Sequence, residues 1–401
     1  MAVKGRIKAQ MAMKAHSRFK AALRGAAALG LAFALCPAAL ASDAAADGGS
    51  CPGGRALRVA LAEAGPFHDF QRVFAHMLSE LARKGLVRSA PPSAKLVFDI
   101  PKTYKEIAEA SQGGCVVFPE DALYNANWDP SVREAMREEL RERVAKRGDI
   151  DLVLAFGTKS GLDFKDGIPG ANVMVVTPTD PEASGITGRG EFSGVKGVHV
   201  QKEPGRYLTE LKMFHEIFPF KSLGVILDDE EEGRRSQAAE AIGEFASQSG
   251  VRLVKCQGDV ITQDLEKARS EFSRCCLELA SGGTEAVYLT YGNGADPENL
   301  YSQIKPLIAA KIPTFSQSGI AEVRGGSLMA LSDGDLEASG RFEAQVLEKI
   351  ASGTPPEQIS EYYHAPLMLG LNLKTASLIG WKPPFDRLIA VDVVFSAIGS
   401  N

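Results

Sequence analysis

The expected architecture of this chain follows from one segment, Val175-Val-Thr-Pro-Thr-Asp-Pro-Glu-Ala-Ser-Gly185. A largely apolar run, 171–176, leads into it, and its β-branched valines predict a buried strand. Two prolines then end the strand in a polar loop that carries Thr177, Thr179 and Asp180. A buried strand that ends in hydroxyl and carboxylate side chains is typical of the carboxyl edge of an open parallel sheet, where ligands bind.

Two earlier strands end in the same way. The run Asp151-Leu-Val-Leu-Ala-Phe-Gly-Thr158 ends in glycine and threonine, and Leu57-Arg-Val-Ala-Leu-Ala62 leads into Glu63-Ala-Gly-Pro-Phe-His68. The intervening segments 70–86 and 128–148 have the length and charge pattern of helices. Because parallel strands end at one edge of a sheet, we expect these polar loops to point at one place.

The same alternation of strand and helix begins again after residue 200. The predicted strands of this second half are 223–227, 251–256, 286–290 and 313–315. Alternation with short connections predicts a parallel sheet with helices on both faces. We therefore predict the α/β class, with two similar doubly wound parallel-sheet lobes joined by a multi-strand hinge.

The lobe boundaries follow from this pattern. We expect lobe I to span 55–195 and to be completed by about 327–362, and lobe II to span 196–326 and to be completed by about 366–401. The chain then crosses between the lobes about three times, which favours a bending hinge over a loose tether.

Polar loops that face each other from two lobes enclose a cleft for a small ligand. Hydroxyl, amide and carboxylate groups would orient that ligand, and aromatic rings would stack on its apolar part. The candidate ligand-binding residues of lobe I are Phe67, His68, Gly157, Thr158, Thr177, Thr179 and Asp180. Those of lobe II are Asp228, Asp229, Ser236, Tyr291, Asn293, Ser316 and Gln317.

Several candidates also have a purely structural interpretation. Thr158 and Thr179 can cap the helices that follow them, and a capped helix N-terminus is itself a favourable carboxylate site. The acidic run 228–232 is most simply a solvated loop, although Asp228 or Asp229 can pair with a ligand ammonium group. His68 is equally compatible with a solvated loop position.

The first 41 residues have the pattern of a secretory signal peptide. A basic region without acidic residues precedes the apolar run 25–35, and Ala39-Leu-Ala41 is a small-x-small cleavage site. Translation can also start at Met11 or Met13. The alternative is a lipoprotein signal with Cys36 as the lipidated residue, for which the preceding Leu35 is a poor match. We expect cleavage after Ala41, a flexible segment 42–54, and a periplasmic protein.

Charge and cysteine content exclude other classes. The net charge of −5 without a basic stripe argues against nucleic acid as a partner. The cysteine and histidine spacing gives no metal site, and no cofactor is expected. In an oxidising compartment Cys256 can pair with Cys275 or Cys276 on the next helix, or all three can remain thiols.

Four segments carry a resemblance to a known family. They are spread over the span 57–384, and they are Thr179-Asp-Pro-Glu-Ala-Ser-Gly-Ile186, Leu223-Gly-Val-Ile-Leu227 followed by Ser236, Ile312-Pro-Thr-Phe315, and Leu371-Asn-Leu-Lys-Thr-Ala-Ser-Leu-Ile-Gly380 with Pro383-Pro384. In this order and spacing they resemble the substrate-binding proteins of ABC transporters, in the tryptophan- and tyrosine-binding group. The resemblance implies a type I periplasmic-binding-protein fold and a monomer that delivers a small solute, such as an amino acid or related compound, to an inner-membrane permease.

The chain departs from that family in two places. The family's Tyr-Asn-Pro loop is replaced by the acidic run 228–232, and residues around 102–128 are rearranged or inserted relative to the family. Two other functions use the same cleft: a periplasmic sensory module for a membrane receptor, and an enzyme on the same scaffold. An enzyme is disfavoured because the sequence shows no Gly-x-Ser-x-Gly elbow, and Gly157-Thr-Lys-Ser-Gly161 lacks the spacing of a phosphate loop.

Overall fold

The computed structural model of the protein describes residues 51–90, 100–295, 299–332 and 336–399. The expected signal peptide, the alternative lipidation site Cys36 and residues 42–50 of the expected flexible segment lie outside the described residues. The strands are β1 Leu57–Glu63, β2 Val116–Val117, β3 Leu123–Asn125, β4 Leu152–Phe156, β5 Asn172–Val176, β6 Val198–Val200, β7 Ser222–Asp228, β8 Arg252–Gly258, β9 Ala286–Leu289, β10 Thr314–Ser316, β11 Met329–Ser332, β12 Met368–Asn372 and β13 Val393–Phe395. The helices are α1 His68–Arg83, α2 Ile100–Ser111, α3 Pro130–Arg147, α4 Gly157–Phe164, α5 Arg206–Ile217, α6 Glu231–Ser236, α7 Ala239–Ser249, α8 Leu265–Ser281, α9 Leu300–Ala309, α10 Ile320–Arg324, α11 Glu337–Ala351, α12 Leu373–Leu378 and α13 Phe385–Leu388.

Lobe I is built on a parallel sheet in the order β2-β1-β4-β5-β6, with β3 also paired to β1. Successive residues of β1 point to opposite faces, so Val59 and Leu61 enter one apolar cluster while Ala60 and Ala62 enter another. Helices cover both clusters, which is why the strand sequences are apolar on both faces rather than alternating.

Lobe II repeats this plan on a sheet in the order β13-β12-β11-β10-β9-β7-β8. Its strands pair in parallel except for β11 with β12, which are antiparallel. The two parallel-dominated sheets with flanking helices confirm the predicted α/β class.

Local signals in the sequence set the helix ends. The carboxylate of Asp129 accepts the backbone N–H of Ser131 and Val132 at the start of α3, Pro130 occupies the first turn, and Gly148 ends the helix in the left-handed region with φ of 58°. Asp264 caps α8 in the same way through the N–H of Lys267.

The chain passes between the lobes at three places: between β6 and α5, between β11 and α11, and between the turn Pro356–Gln358 and β12. On its return, α11 packs on α1 of lobe I, where a Cβ on Gly340 would meet the Cβ of His76 at 2.5 Å. Two of the passages lie side by side, with a parallel bridge between Lys202 and Tyr362.

A buried ion pair holds these two passages together. The Lys202 ammonium lies 2.9 Å from the Glu361 carboxylate, and both side chains are almost fully buried. Lys202 also donates to the carbonyls of Gly188 and Gly190, and Glu361 accepts the N–H of Val200. A buried ion pair of this kind fixes the position of both strands, since separating it would leave an uncompensated charge.

The observed elements differ from the expected boundaries in several places. Strand β6 extends lobe I beyond residue 195, and β11 belongs to the sheet of lobe II although 327–362 was expected to complete lobe I. Residue spacing alone does not show which sheet a short strand joins.

Two disulfides join elements of the same lobe. Cys256 of β8 is bonded to Cys275 of α8, which resolves the open alternatives, and Cys276 is left as a buried thiol. A second bond, between Cys51 and Cys115, ties the start of the described chain to the strand β2. In the described part of the chain, no helix is long and apolar enough to cross a membrane.

Candidate functional site

A cavity of about 100 Å³ lies between the lobes. The loops after β1, β4 and β5 form one wall, and the loops after β9 and β10 form the other. The predicted residues that line it are Phe67, Gly157, Thr158, Thr177, Thr179, Ser236, Tyr291 and Gln317. The carboxyl edges of the two sheets therefore meet at one site.

The loops after β4 and β5 are tied together at the cavity wall. The Thr158 hydroxyl accepts the backbone N–H of Thr179 at 2.9 Å, so this side chain is engaged in the scaffold. Gly157, at φ of 78°, begins α4, and a Cβ there would lie 2.4 Å from the Phe70 ring. The close approach of Phe70 thus requires glycine at this position.

Thr177 is different because its hydroxyl is not used by the scaffold. Its backbone N–H donates to the Gln201 side chain at 2.8 Å, and the residue is held at φ of 52°. The Thr177 hydroxyl is buried and has no hydrogen-bond partner among the described residues. A buried polar group without a partner is costly, and at a cavity wall it is a natural contact for a ligand.

Trp128 presents a second such group. The backbone N–H of Trp128 donates to the Ala64 carbonyl at 2.7 Å, which pins the indole over Gly65 at the end of β1. The Trp128 ring lines the cavity, and its Nε1–H is buried with no partner in the described part of the chain. Because an indole nitrogen only donates, the complementary ligand atom would be an acceptor.

The lobe II wall is built around Tyr291. Gln317 accepts the Tyr291 backbone N–H at 2.8 Å, and Gln237 donates to the Tyr291 carbonyl at 2.7 Å. The Tyr291 ring then meets Phe67 of lobe I edge to face, with ring centroids 4.4 Å apart. Two amide side chains thus fix the backbone that presents an aromatic ring across the cleft.

Three of the predicted residues are engaged within lobe II and do not line the cavity. The Asp228 carboxylate accepts the backbone N–H of Glu230, Val260 and Ile261, and therefore joins the loops after β7 and β8. Asn293 is bonded through both side-chain atoms to the Thr262 backbone. The Ser316 hydroxyl donates to the buried carboxyl of Glu322 at 2.6 Å.

The other predicted residues outside the lining have local roles or face solvent. Asp180, at φ of 39°, accepts the N–H of Ala183 at 3.4 Å in the turn after β5, and burial raises the pKa of its carboxyl. His68 lies 3.2 Å from the carboxylate of its neighbour Asp69, which does line the cavity. Asp229 is exposed.

Arg206 and Tyr207, which sequence reasoning missed, form part of the cavity lining at the start of α5. The Arg206 guanidinium donates to Glu210 at 2.9 Å and to Glu203 at 3.1 Å, so its charge is compensated. Burial raises the pKa of Glu210 to about 7, and Tyr288 donates its hydroxyl to the same carboxyl. The helical spacing of positions 203, 206 and 210 was the available signal.

The lobes touch each other at the mouth of the cleft. The Arg133 guanidinium of α3 is paired with Glu232 of α6, and the Lys159 ammonium of α4 lies 3.6 Å from Glu230. Arg235 donates to the carbonyl of Ser184 at 2.9 Å. These side chains belong to opposite lobes, so the structure describes a closed cleft.

Comparison with solved structures identifies the fold. The chain resembles a conserved domain protein from Vibrio cholerae, with 17% identity, a TM-score of 0.64, and coverage of 85% of this chain and 100% of that one. It also resembles an ABC domain in complex with L-Trp from Streptococcus pneumonia, with 15% identity, a TM-score of 0.60 and the same coverage. A third structure is the ligand-free, open form of a substrate-binding protein with adhesive properties from Clostridium difficile, with 15% identity, a TM-score of 0.52 and again the same coverage.

These matches confirm the predicted two-lobed fold of type I periplasmic binding proteins. At such low identity the likeness establishes the fold alone, and function is argued from the site. No protein-family model matches the sequence. No curated protein matches it.

Proposed function

We propose that this chain is an exported solute-binding protein that captures a small molecule between its lobes and delivers it to an ABC importer in the inner membrane. The observation that carries the proposal is a cavity lined by polar and aromatic side chains from both lobes. A ligand that contacts both walls favours the closed arrangement over the open one, which couples binding to a shape that a permease can recognise. We propose that the protein acts as a periplasmic monomer.

The lining indicates the chemistry of the ligand. Phe67, Trp128 and Tyr291 offer apolar ring surface, while the Trp128 N–H and the Thr177 hydroxyl require polar partners. An amino acid or related compound, with an apolar part and a carboxylate acceptor, satisfies both demands. The L-Trp complex of a structure with this fold is compatible with that class.

We propose that the site binds its ligand without converting it. Neither histidine nor cysteine is among the described residues that line the cavity. Among the described residues, no group of three or more histidine, cysteine, aspartate or glutamate side chains is placed to hold a metal ion. A nucleophile with its general base, or a metal-activated water, is what hydrolysis at this site would need.

Native mass spectrometry of the protein purified from the periplasm tests the proposal. We expect one small molecule per chain, whose identity then permits calorimetric titration of the stripped protein. Phe67→Ala should weaken binding because it removes a wall of the cavity, whereas Leu277→Ala, at a position 60% exposed on α8, should not. A protein that carries no ligand and shows no thermal shift with amino acids or sugars would contradict the proposal. Conversion of the bound molecule would indicate an enzyme.

A further inference from the structure

The acidic run 228–232 divides into residues with different tasks. The Asp228 carboxylate is hydrogen-bonded to backbone N–H groups within lobe II. Asp229 is exposed, and its side chain has no hydrogen bond or ion pair in the described part of the chain. Glu230 and Glu232 instead reach the opposite lobe, toward Lys159 and Arg133. The run is therefore a contact between lobes rather than a ligand loop.

The lobe I side of this contact is held in place by hydrogen bonds within lobe I. The Arg133 guanidinium is held by two hydrogen bonds to Asp163, at 2.7 and 2.9 Å, and by one to the carbonyl of Lys159 at 2.8 Å. One guanidinium nitrogen remains directed at lobe II and meets Glu232. Because Arg133 is already fixed, pairing with Glu232 costs little additional side-chain entropy.

Burial makes the contact stronger than an ordinary surface pair. The Arg133 and Lys159 side chains are only 15% and 9% exposed, whereas their glutamate partners are 41% and 62% exposed. Solvent therefore screens the pairs from one side only. When the lobes separate, the two glutamates return to water, but both cations lose a partner that lies outside their own lobe.

We propose that Glu230 and Glu232, with Lys159 and Arg133, form a charge clasp that keeps a large fraction of the protein closed before ligand arrives. Glu230, Glu232 and Arg133 lie outside the cavity lining, whereas Lys159 is part of it. Glu230 and Glu232 are positioning residues that set the ratio of closed to open protein. The consequence for affinity rests on the proposed function: if the closed form binds, loss of the clasp raises the apparent Kd by the same factor by which it lowers the closed population.

Distance measurement between labelled lobes tests the clasp without any ligand. Spin labels at Glu138→Cys on α3 and Glu244→Cys on α7 occupy exposed positions in opposite lobes. Pulsed electron–electron double resonance should give a dominant short distance between the labels in the ligand-free protein at low salt. Glu232→Gln should lower the ratio of short to long distances roughly threefold to tenfold, and NaCl at about 0.5 M should act in the same direction.

Asp229→Asn is the matched control, because it removes one charge from the same run without breaking a contact between lobes. We expect its distances to equal those of the parent. Glu230→Gln is the second clasp variant and should shift the ratio in the same direction as Glu232→Gln. Melting temperature identifies a variant that fails to fold.

Equal distances in Glu232→Gln, Glu230→Gln and Asp229→Asn would overturn the proposal, as would a parent protein that is mainly open at low salt. A distance shift in a protein that binds no solute would support the clasp and contradict the proposed function. Solute binding with unchanged distances in both clasp variants would support the proposed function and contradict the clasp.

Discussion

Replacement of Thr177 by valine separates ligand binding from folding at the cavity wall. Thr177→Val keeps the shape and the β-branch but removes a hydroxyl that has no partner in the described part of the chain. The backbone N–H bond to Gln201 at 2.8 Å does not involve the side chain and should persist. The strain at φ of 52° is also common to both residues, since each is β-branched.

Thr177→Val should affect the free energy of unfolding and the affinity for the ligand differently. A buried hydroxyl without a partner costs about 1–3 kcal/mol, so its removal should leave the free energy of unfolding unchanged or raise it. If the ligand pairs with this hydroxyl, its loss should weaken binding by about 1–3 kcal/mol, which is roughly tenfold to a hundredfold in Kd. A decrease in affinity without a decrease in stability is therefore expected.

Thr158→Val is the matched comparison. The Thr158 hydroxyl accepts the N–H of Thr179 at 2.9 Å, so its loss leaves a donor unpaired and should lower stability by about 1–3 kcal/mol. Calorimetric titration with the co-purified solute and thermal melting of the stripped protein measure both effects. A Thr177→Val protein that melts lower than the parent and binds equally well would refute the reasoning, because the hydroxyl would then serve the fold.

Further outcomes follow from other buried groups and from the expected processing. Thr179→Val should weaken solute binding by about 1–3 kcal/mol in calorimetry, because the residue lines the cavity beside Tyr207, and unchanged affinity would restrict the polar site to the Thr177 side. The Glu343 carboxyl is fully buried without a partner among the described residues, and burial raises its pKa well above 4.5. The stability of the parent should thus fall as pH rises above 4.5. In urea unfolding between pH 5 and pH 8, the free energy of unfolding of Glu343→Gln should increase relative to that of the parent by up to about 1.4 kcal/mol per pH unit. Parallel curves of stability against pH for the two proteins would show an ionised or hydrated carboxyl. Intact mass and thiol titration in denaturant should give a protein cut after Ala41 with Cys276 as its one reactive thiol, and a second thiol or a lipid adduct would point to Cys36.

Strand ends were readable from the sequence because they depend on short-range patterns. An apolar run followed by proline and hydroxyl residues placed Thr177 and Thr179 at the sheet edge, and the parallel sheet brought Gly157 and Thr158 beside them. For residues that directly follow a strand of a parallel sheet, the position of the backbone alone is enough to bring them to the cavity.

Partners that are distant in sequence were not readable in this way. Trp128 reaches the cavity because its backbone is bonded to Ala64, a contact that depends on the pairing of β3 with β1. The pairing of Arg133 with Glu232 joins residues 99 positions apart. The pattern of a charged helix or an acidic loop does not show which opposite charge it will meet in the fold. The acidic run 228–232 was therefore expected to be a solvated loop.

The polar groups of the cleft can be ranked by whether the scaffold already uses them. The carboxylate of Asp228 and the side chain of Asn293 are satisfied by loop backbone, so a ligand that bound them would first have to break those bonds. The Thr177 hydroxyl and the Trp128 N–H have no such bond to lose in the described part of the chain, and their burial penalty is already present in the closed protein. A ligand that supplies an acceptor to both gains the full hydrogen bonds and relieves that penalty, and these two groups are therefore where selectivity for a polar ligand should originate.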